Sequence, residues 1–124
     1  MELYRLIWGS LQQNSMFVFA ALTLIVCDFV FGFAGAAKNG CISSRKMRDG
    51  LWHKFGSIGL MVVASIVDGA LAGGVQLEFT EPVLIVTCLY ISMMELVSVV
   101  ENLTILNPDL ADNPLVSKLA AKED

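Results

Sequence analysis

The sequence predicts an all-α membrane protein with three transmembrane helices. Residues 16–37, 55–75 and 82–100 are apolar stretches of about twenty residues each, which is the helix length that crosses the roughly 30 Å hydrocarbon layer of a bilayer. The whole chain is 56% hydrophobic, with a mean hydropathy of +0.68, as is typical of membrane proteins. The stretches are too long, and alternate too little, to be the strands of a membrane barrel.

Residues 1–15 form a short lead before the first span. Its leucine and isoleucine residues recur at helical spacing, with Tyr4 and Trp8 beside them, and such rings favour the headgroup level of a bilayer. We expect an interfacial amphipathic helix, with a frayed terminus or the first turns of a tilted span as equal alternatives, because the window is short. A cleaved signal peptide is disfavoured, since Asp28 interrupts the apolar run that such a signal needs.

Residues 38–54 connect the first two spans and form the strongly basic stretch of the chain. They hold five basic residues against the single acid Asp49. Basic loops beside spans stay in the cytoplasm and can meet anionic headgroups. The residues predicted for this headgroup and topology role are Lys38, Arg45, Lys46, Arg48 and Lys54. The topology role is the favoured one, because it is the general role of basic loops.

The remaining connections carry less positive charge. Residues 76–81 predict a short outer turn before Pro82, which can begin a helix. Residues 101–124 predict a tail with a short helix starting at Pro114. In a three-span protein the basic connection and the tail lie on one side, and together they hold seven of the eight Lys and Arg residues. The positive-inside rule therefore predicts the N-terminus outside and the C-terminus in the cytoplasm.

Each predicted span carries one carboxylic acid, namely Asp28, Asp68 and Glu95, and none contains a basic residue to pair with it. An acid at bilayer depth costs a few kcal/mol or more unless it is neutralised, hydrogen-bonded or wetted. One interpretation is that the acids are protonated and hydrogen-bond between helices. The other is that they line a water-filled path in an oligomer. The sequence leaves both open.

The acids share helix faces with small and polar residues, because residues three and four apart lie on one face. The residues predicted to line a pore or to hydrogen-bond between helices are Asp28, Asp68, Glu95, Ser65, Ser92 and Ser98. The small residues predicted to bring helices close together are Gly32, Ala36, Gly69 and Gly73. Each span thus has one small or polar stripe and one apolar face, the pattern of helices that associate within a membrane.

Several classes of function are disfavoured by the sequence. Cys27, Cys41 and Cys88 lack metal or redox spacing, and His53 is the single histidine, so we expect no metal site and no disulfide framework. No nucleophile–base motif or phosphate-binding loop is present. We therefore predict a non-enzyme without cofactors. The net charge of −4 argues against binding to nucleic acid.

Four local patterns follow one another along the chain. Residues 26–32 contain a "D-aromatic-x-x-G" pattern, and residues 43–54 hold a serine and basic residues followed by Gly-Leu and a closing Lys. Asp68 is the acid of the second span, and residues 94–103 contain an "E-x-x-S-x-x-E-N" pattern. In this order the four patterns resemble the first span, basic connection, second span and third-span ending of the phage lysis and toxin-secretion holins of the three-transmembrane type. The likeness covers about residues 20–105. The tail departs, since Asn-Pro turns and a net acidic charge replace a Gly-x-x-x-Pro turn and a basic segment.

The resemblance implies a small phage-encoded protein of the bacterial cytoplasmic membrane. Such proteins accumulate harmlessly and then form large homo-oligomeric lesions, which release an endolysin or, in some relatives, a toxin, so that the host cell lyses. The family has no catalytic residues to transfer. Two other functions stay open: a small ion channel or proton-coupled transporter that uses the membrane acids, and a membrane anchor or adaptor whose basic connection and tail recruit a cytoplasmic partner.

Overall fold

The computed structural model describes residues 2–74, 76 and 82–120. Within that part of the chain the regular structure is helical and contains no strand. The α-helices are α1 (Glu2–Gln13), α2 (Ser15–Lys38), α3 (Ser44–Ala72), α4 (Val83–Leu106) and α5 (Pro114–Ala120), with a 3-10 helix at Pro108–Asp112. The predicted all-α fold is confirmed. The predicted outer turn, apart from Gln76, lies outside the described residues, as do residue 75 and residues 121–124.

Three of these helices are long and apolar enough to cross a membrane, as predicted. The helices α2 and α4 have 24 residues each and α3 has 29, which gives lengths of about 36 Å and 43 Å. The start of α3 differs from the predicted span, because the helix begins at Ser44 and runs through most of the basic stretch. Ser43 caps it by accepting a hydrogen bond from the backbone N–H of Lys46, and basic side chains lower hydropathy without opposing helix formation.

The small core lies where α2, α3 and α4 meet. It consists of Ala21, Ile25, Met61, Ala64, Leu84, Cys88 and Ile91. The helix α2 packs along α4 far more extensively than along α3. Large apolar side chains elsewhere face outward, with Phe19 73% exposed and Val26 60% exposed on α2. An apolar exterior around a thin core is what a bilayer-embedded bundle needs, since lipid covers the outer faces.

The N-terminal helix α1 packs on the C-terminal part of α3. A Cβ atom added to Gly69 would lie 2.8 Å from Cγ1 of Ile7 and 3.1 Å from its backbone nitrogen, and one added to Gly73 would lie 3.1 Å from Cδ1 of Leu6. The two glycines therefore admit α1 at close range, as small residues do between membrane helices. A helix in the N-terminal lead is confirmed, and Leu6 and Ile7 contact α3, whereas Tyr4 and Trp8 are exposed. Its position at the membrane interface stays a prediction.

The tail leaves α4 through two asparagine-capped turns. Asn107 accepts a hydrogen bond from the backbone N–H of Asp109 at 3.3 Å, and Asn113 accepts one from Leu115 at 2.9 Å. Each asparagine precedes a proline, which suits the first position of a helix because its missing N–H is not needed there. The predicted short tail helix is confirmed as α5.

Candidate functional site: a buried charge cluster

The most unusual site in the described structure is an ion-paired group between the three long helices. The Nζ atom of Lys54, on α3, donates hydrogen bonds to Oδ2 of Asp28 on α2 at 2.5 Å and to Oε2 of Glu95 on α4 at 2.9 Å. Lys54 is 8% exposed and Glu95 is 6% exposed. One lysine therefore joins two acids that come from different helices.

Asn102 completes this group, which we name the charge cluster: Asp28, Lys54, Glu95 and Asn102. The Nδ2 atom of Asn102 donates to Oδ1 of Asp28 at 2.8 Å and to the backbone carbonyl oxygen of Asp28 at 3.3 Å. Gly32 leaves space for the Asn102 amide, because a Cβ atom at position 32 would lie 3.3 Å from Nδ2 of Asn102. Both oxygens of the partly buried Asp28 carboxylate are thus hydrogen-bonded, as polar groups with little access to water usually are.

The charge cluster lies halfway along two of the spanning helices. Asp28 is fourteen residues into α2 and Glu95 is thirteen residues into α4, and each helix has 24 residues. Lys54 lies ten residues after Ser44, or about 15 Å along the axis of α3. Charged groups at such depth are expensive and mark functional sites more often than others do.

The expectation that the membrane acids lack a basic partner is wrong for Asp28 and Glu95. Because α3 begins at Ser44, Lys54 lies within the helix, and its side chain points at the acids. The other four predicted headgroup residues are exposed, whereas Lys54 is buried. Breaking a buried pair by removing one partner is costly, because the remaining charge is left without compensation. Lys54 compensates two acids at once.

Asp68 lies elsewhere, at the other end of the bundle. Its Oδ1 atom accepts a hydrogen bond from the backbone N–H of Val83 at 2.8 Å, and Oδ2 accepts one from Leu84 at 2.9 Å. These are free N–H groups in the first turn of α4, where the helix dipole favours a negative charge. Asp68 therefore caps α4 and fixes its start against α3.

Lys38 fixes the opposite end of α4. Its Nζ atom donates to the backbone carbonyl oxygens of Ile105 and Leu106 at 3.0 Å and 3.1 Å. A positive charge at the last carbonyls of a helix is favourable. Lys38 thus joins the end of α2 to the end of α4.

Among the described residues, no hydrogen bond joins the other predicted serines to the charge cluster. Ser65 is buried and donates to the carbonyl oxygen of Val62 in its own helix at 2.7 Å. Ser92, Ser98 and Ala36 are half-buried. Their predicted roles at a pore or a helix interface stay predictions.

A crevice of about 250 Å³ leads to the charge cluster from the basic end of the molecule. It opens between α2 and α3 beside Ser43 and Lys46, and reaches Asp28, Lys54 and Asn102. Polar groups along it can hold water. The arrangement offers charge pairing and an open path to it, and the described residues contain no group of three or more His, Cys, Asp or Glu side chains that could hold a metal.

Comparison with known families decides what kind of protein this is. The sequence model of the "Bacteriophage holin family" matches residues 7–120. The chain belongs to the bacteriophage holin family. The predicted resemblance is confirmed, and the match includes all four residues of the charge cluster. This holin is a multi-pass membrane protein, and its family is not an enzyme family. Comparisons with curated proteins and with solved structures gave no match.

Proposed function

We propose that this holin assembles into homo-oligomeric lesions in the bacterial cytoplasmic membrane, through which an endolysin or a toxin leaves the cytoplasm before host lysis. The observation that carries the proposal is the charge cluster, held halfway along the helices of a holin-family chain whose exterior is apolar. Three helices with a filled centre cannot enclose a passage for a protein. Many copies can enclose such a passage if their polar stripes face the water inside it.

The seam between α2 and α3 is where the subunit opens. These two helices share little packing, and the Lys54–Asp28 ion pair joins them across the crevice. A buried charge needs a partner, whereas a wetted charge does not. In the closed subunit, Lys54 and Asp28 stay paired. When α2 moves away from α3, water replaces the ion pair around both charges, which are then exposed in the lesion.

The orientation that the basic residues favour agrees with this role. We propose the N-terminus outside and the C-terminus in the cytoplasm, because Arg45, Lys46 and Arg48 are exposed at the end of α3 that the crevice enters. Reporter fusions at each terminus test this. A cytoplasmic N-terminus would contradict the orientation without touching lesion formation.

Induction in a bacterium with and without an endolysin tests the proposed function. We expect abrupt growth arrest and loss of membrane potential from the holin alone, and lysis only with the enzyme. Release of a cytoplasmic reporter protein separates a lesion from an ion channel or transporter, which passes ions or small solutes without releasing proteins. Capture of a cytoplasmic partner without any permeability change would favour the adaptor. Steady growth with an intact potential would refute the lesion.

A variant with a neutral cluster sharpens this test. The substitutions Asp28→Asn, Lys54→Met and Glu95→Gln together remove every charge from the charge cluster while keeping similar volume. We expect the protein to accumulate in the membrane and to release at least tenfold less reporter protein, because parted helices would present no charge to water. The exposed Lys118→Gln change on α5, outside the crevice, is the control and should release as much as the natural chain. Unchanged release by the neutral variant would make the cluster a bystander.

A further inference from the structure

A second opening between α2 and α3 has different chemistry from the crevice. This opening, which we name the apolar groove, has a volume of about 620 Å³, within the roughly 300–1,000 Å³ range of small-molecule sites. Its walls are almost entirely apolar, with two basic side chains among them. The groove is lined by Ile25, Val26, Phe29, Arg48, Leu51, Trp52, Lys54, Phe55 and Ile58.

The groove has the length and polarity of one bilayer leaflet. On α3 it runs from Arg48 to Ile58, ten residues or about 15 Å of helix, which is half of the roughly 30 Å hydrocarbon layer. Arg48 is exposed at the end where Arg45 and Lys46 also lie. Trp52 is 70% exposed and packs edge-on against Phe55, with ring centroids 6.0 Å apart. A cation, an amphipathic ring and an apolar trough thus follow one another with depth.

We propose that the apolar groove binds one anionic phospholipid of the leaflet beside the basic connection. An acyl chain lies along the trough, and the lipid phosphate meets the guanidinium of Arg48. Guanidinium groups suit phosphate because they donate paired hydrogen bonds, and basic pockets between membrane helices hold anionic headgroups. Within the described part of the chain, no ion pair or hydrogen bond occupies the Arg48 side chain. Lys54 is already paired with Asp28 and Glu95. Arg48 is therefore the basic side chain of the groove that can recognise the negative charge of the lipid.

Fluorescence quenching at Trp52 tests this proposal directly. The chain has two tryptophans, so the Trp8→Phe variant leaves Trp52 as the single reporter in the groove. It is reconstituted in equal parts of phosphatidylcholine and phosphatidylglycerol, with bromine on the acyl chains of one lipid or of the other. We expect brominated phosphatidylglycerol to quench Trp52 more strongly, with a preference of about fivefold, the factor for one cation near the headgroups. Equal quenching by the two lipids would overturn the proposal.

Two matched pairs of variants locate the site. Arg48→Gln should remove the preference and Arg48→Lys should keep most of it, whereas Arg45→Gln, an exposed arginine outside the groove, should leave it unchanged. Val26→Phe should fill the trough and reduce quenching by either lipid, whereas Val86→Phe, at an exposed valine of α4 outside the groove, should not.

Two outcomes would contradict the site even if lipid preference is observed. An equal loss for Arg45→Gln would mean diffuse attraction to the basic surface, without a site. A fall in quenching as the protein-to-lipid ratio rises would mean that a second copy of the chain fills the groove. Both results are independent of lesion formation, which the reporter-release assay follows separately.

Discussion

Asp28 and Asp68 are the same side chain on neighbouring membrane helices, and the protein stabilises them in opposite ways. Asp28 lies halfway along α2 and depends on a lysine from α3 and an amide from α4. Asp68 lies near the end of α3 and accepts two backbone N–H groups from the first turn of α4. The depth of each acid in the membrane therefore determines which kind of group stabilises its charge. Free backbone donors exist only at helix ends, so an acid in mid-helix must find another side chain.

The sites around Asp28 and Asp68 differ in how strongly the stability of the protein depends on a single residue. Around Lys54 each charge supports the others, so removing the lysine leaves two acids buried together. Around Asp68 the donors belong to a helix terminus, where water or another polar side chain can replace the carboxylate. We therefore expect substitutions in the charge cluster to cost far more than substitutions at the caps of α4.

The largest effect is expected for Lys54→Met. Removing one partner of a buried ion pair costs about 3–5 kcal/mol, and here two acids lose their partner. Equilibrium unfolding of the reconstituted protein in mixed detergent, followed by circular dichroism, measures the loss. Adding Asp28→Asn and Glu95→Gln to the same chain should recover most of it, because a fully neutral cluster leaves no unpaired charge. If the Lys54→Met variant were as stable as the natural protein, the pairing of Lys54 with the two acids would be contradicted.

A smaller loss is expected for Asp28→Asn alone. Glu95 still pairs with Lys54 in this variant, so the change removes one charged hydrogen bond, worth about 1.5–3 kcal/mol. The same unfolding experiment should place it between the natural chain and Lys54→Met. If it matched or exceeded the loss for Lys54→Met, Lys54 would not be the centre of the cluster.

Asp68→Ala should cost about 1 kcal/mol, the usual value of a helix cap. Asp68→Asn keeps an oxygen that can accept from the first turn of α4, so its loss should be a few tenths of a kcal/mol. Hydrogen exchange at the amides of Val83 and Leu84 reports the cap directly. Both should exchange faster in the alanine variant, and unchanged protection would show that Asp68 does not cap α4.

A loss no larger than that for Asp68→Ala is expected for Lys38→Met at the other end of α4. This lysine is exposed, and a charge near a helix terminus at the surface contributes about 0.3–1 kcal/mol. Raising the salt concentration should shrink the difference between this variant and the natural chain, since salt screens exposed charges. A loss that is independent of salt would mean that the methylene stem, and not the charge, makes the contact.

Sequence patterns predicted the fold well because hydropathy reports directly on helices that lie in lipid. Both ends of α2 lie within one residue of its apolar stretch, and α4 starts one residue after its own. The helix α4 continues six residues beyond its apolar stretch, and α3 begins eleven residues before its apolar part. Hydropathy marks where lipid begins, but a helix continues through basic residues as long as nothing breaks it. Capping by Ser43 is what sets the start of α3.

The candidate site was predicted only in part. The acids and their depth follow from sequence, but the lysine was placed with the headgroup residues. A signal was present, because Lys54 lies three residues before Ser57 and seven before Met61, on the helix face that leads to Ser65 and Asp68. Which helices are neighbours is set by tertiary packing, which sequence spacing does not give. For the same reason the sequence predicts that Gly69 and Gly73 bring two membrane spans together, whereas in the structure they contact α1.

Both ends of α4 are fastened by other helices, its start by Asp68 of α3 and its end by Lys38 of α2. In the opening proposed above, α2 therefore swings away from α3, with α4 as the common axis. Such a swing enlarges the footprint of the subunit in the membrane plane and leaves its height unchanged. Lateral tension does work on area and not on height, so in the proposed opening a stretched bilayer would favour the separation of Lys54 from Asp28.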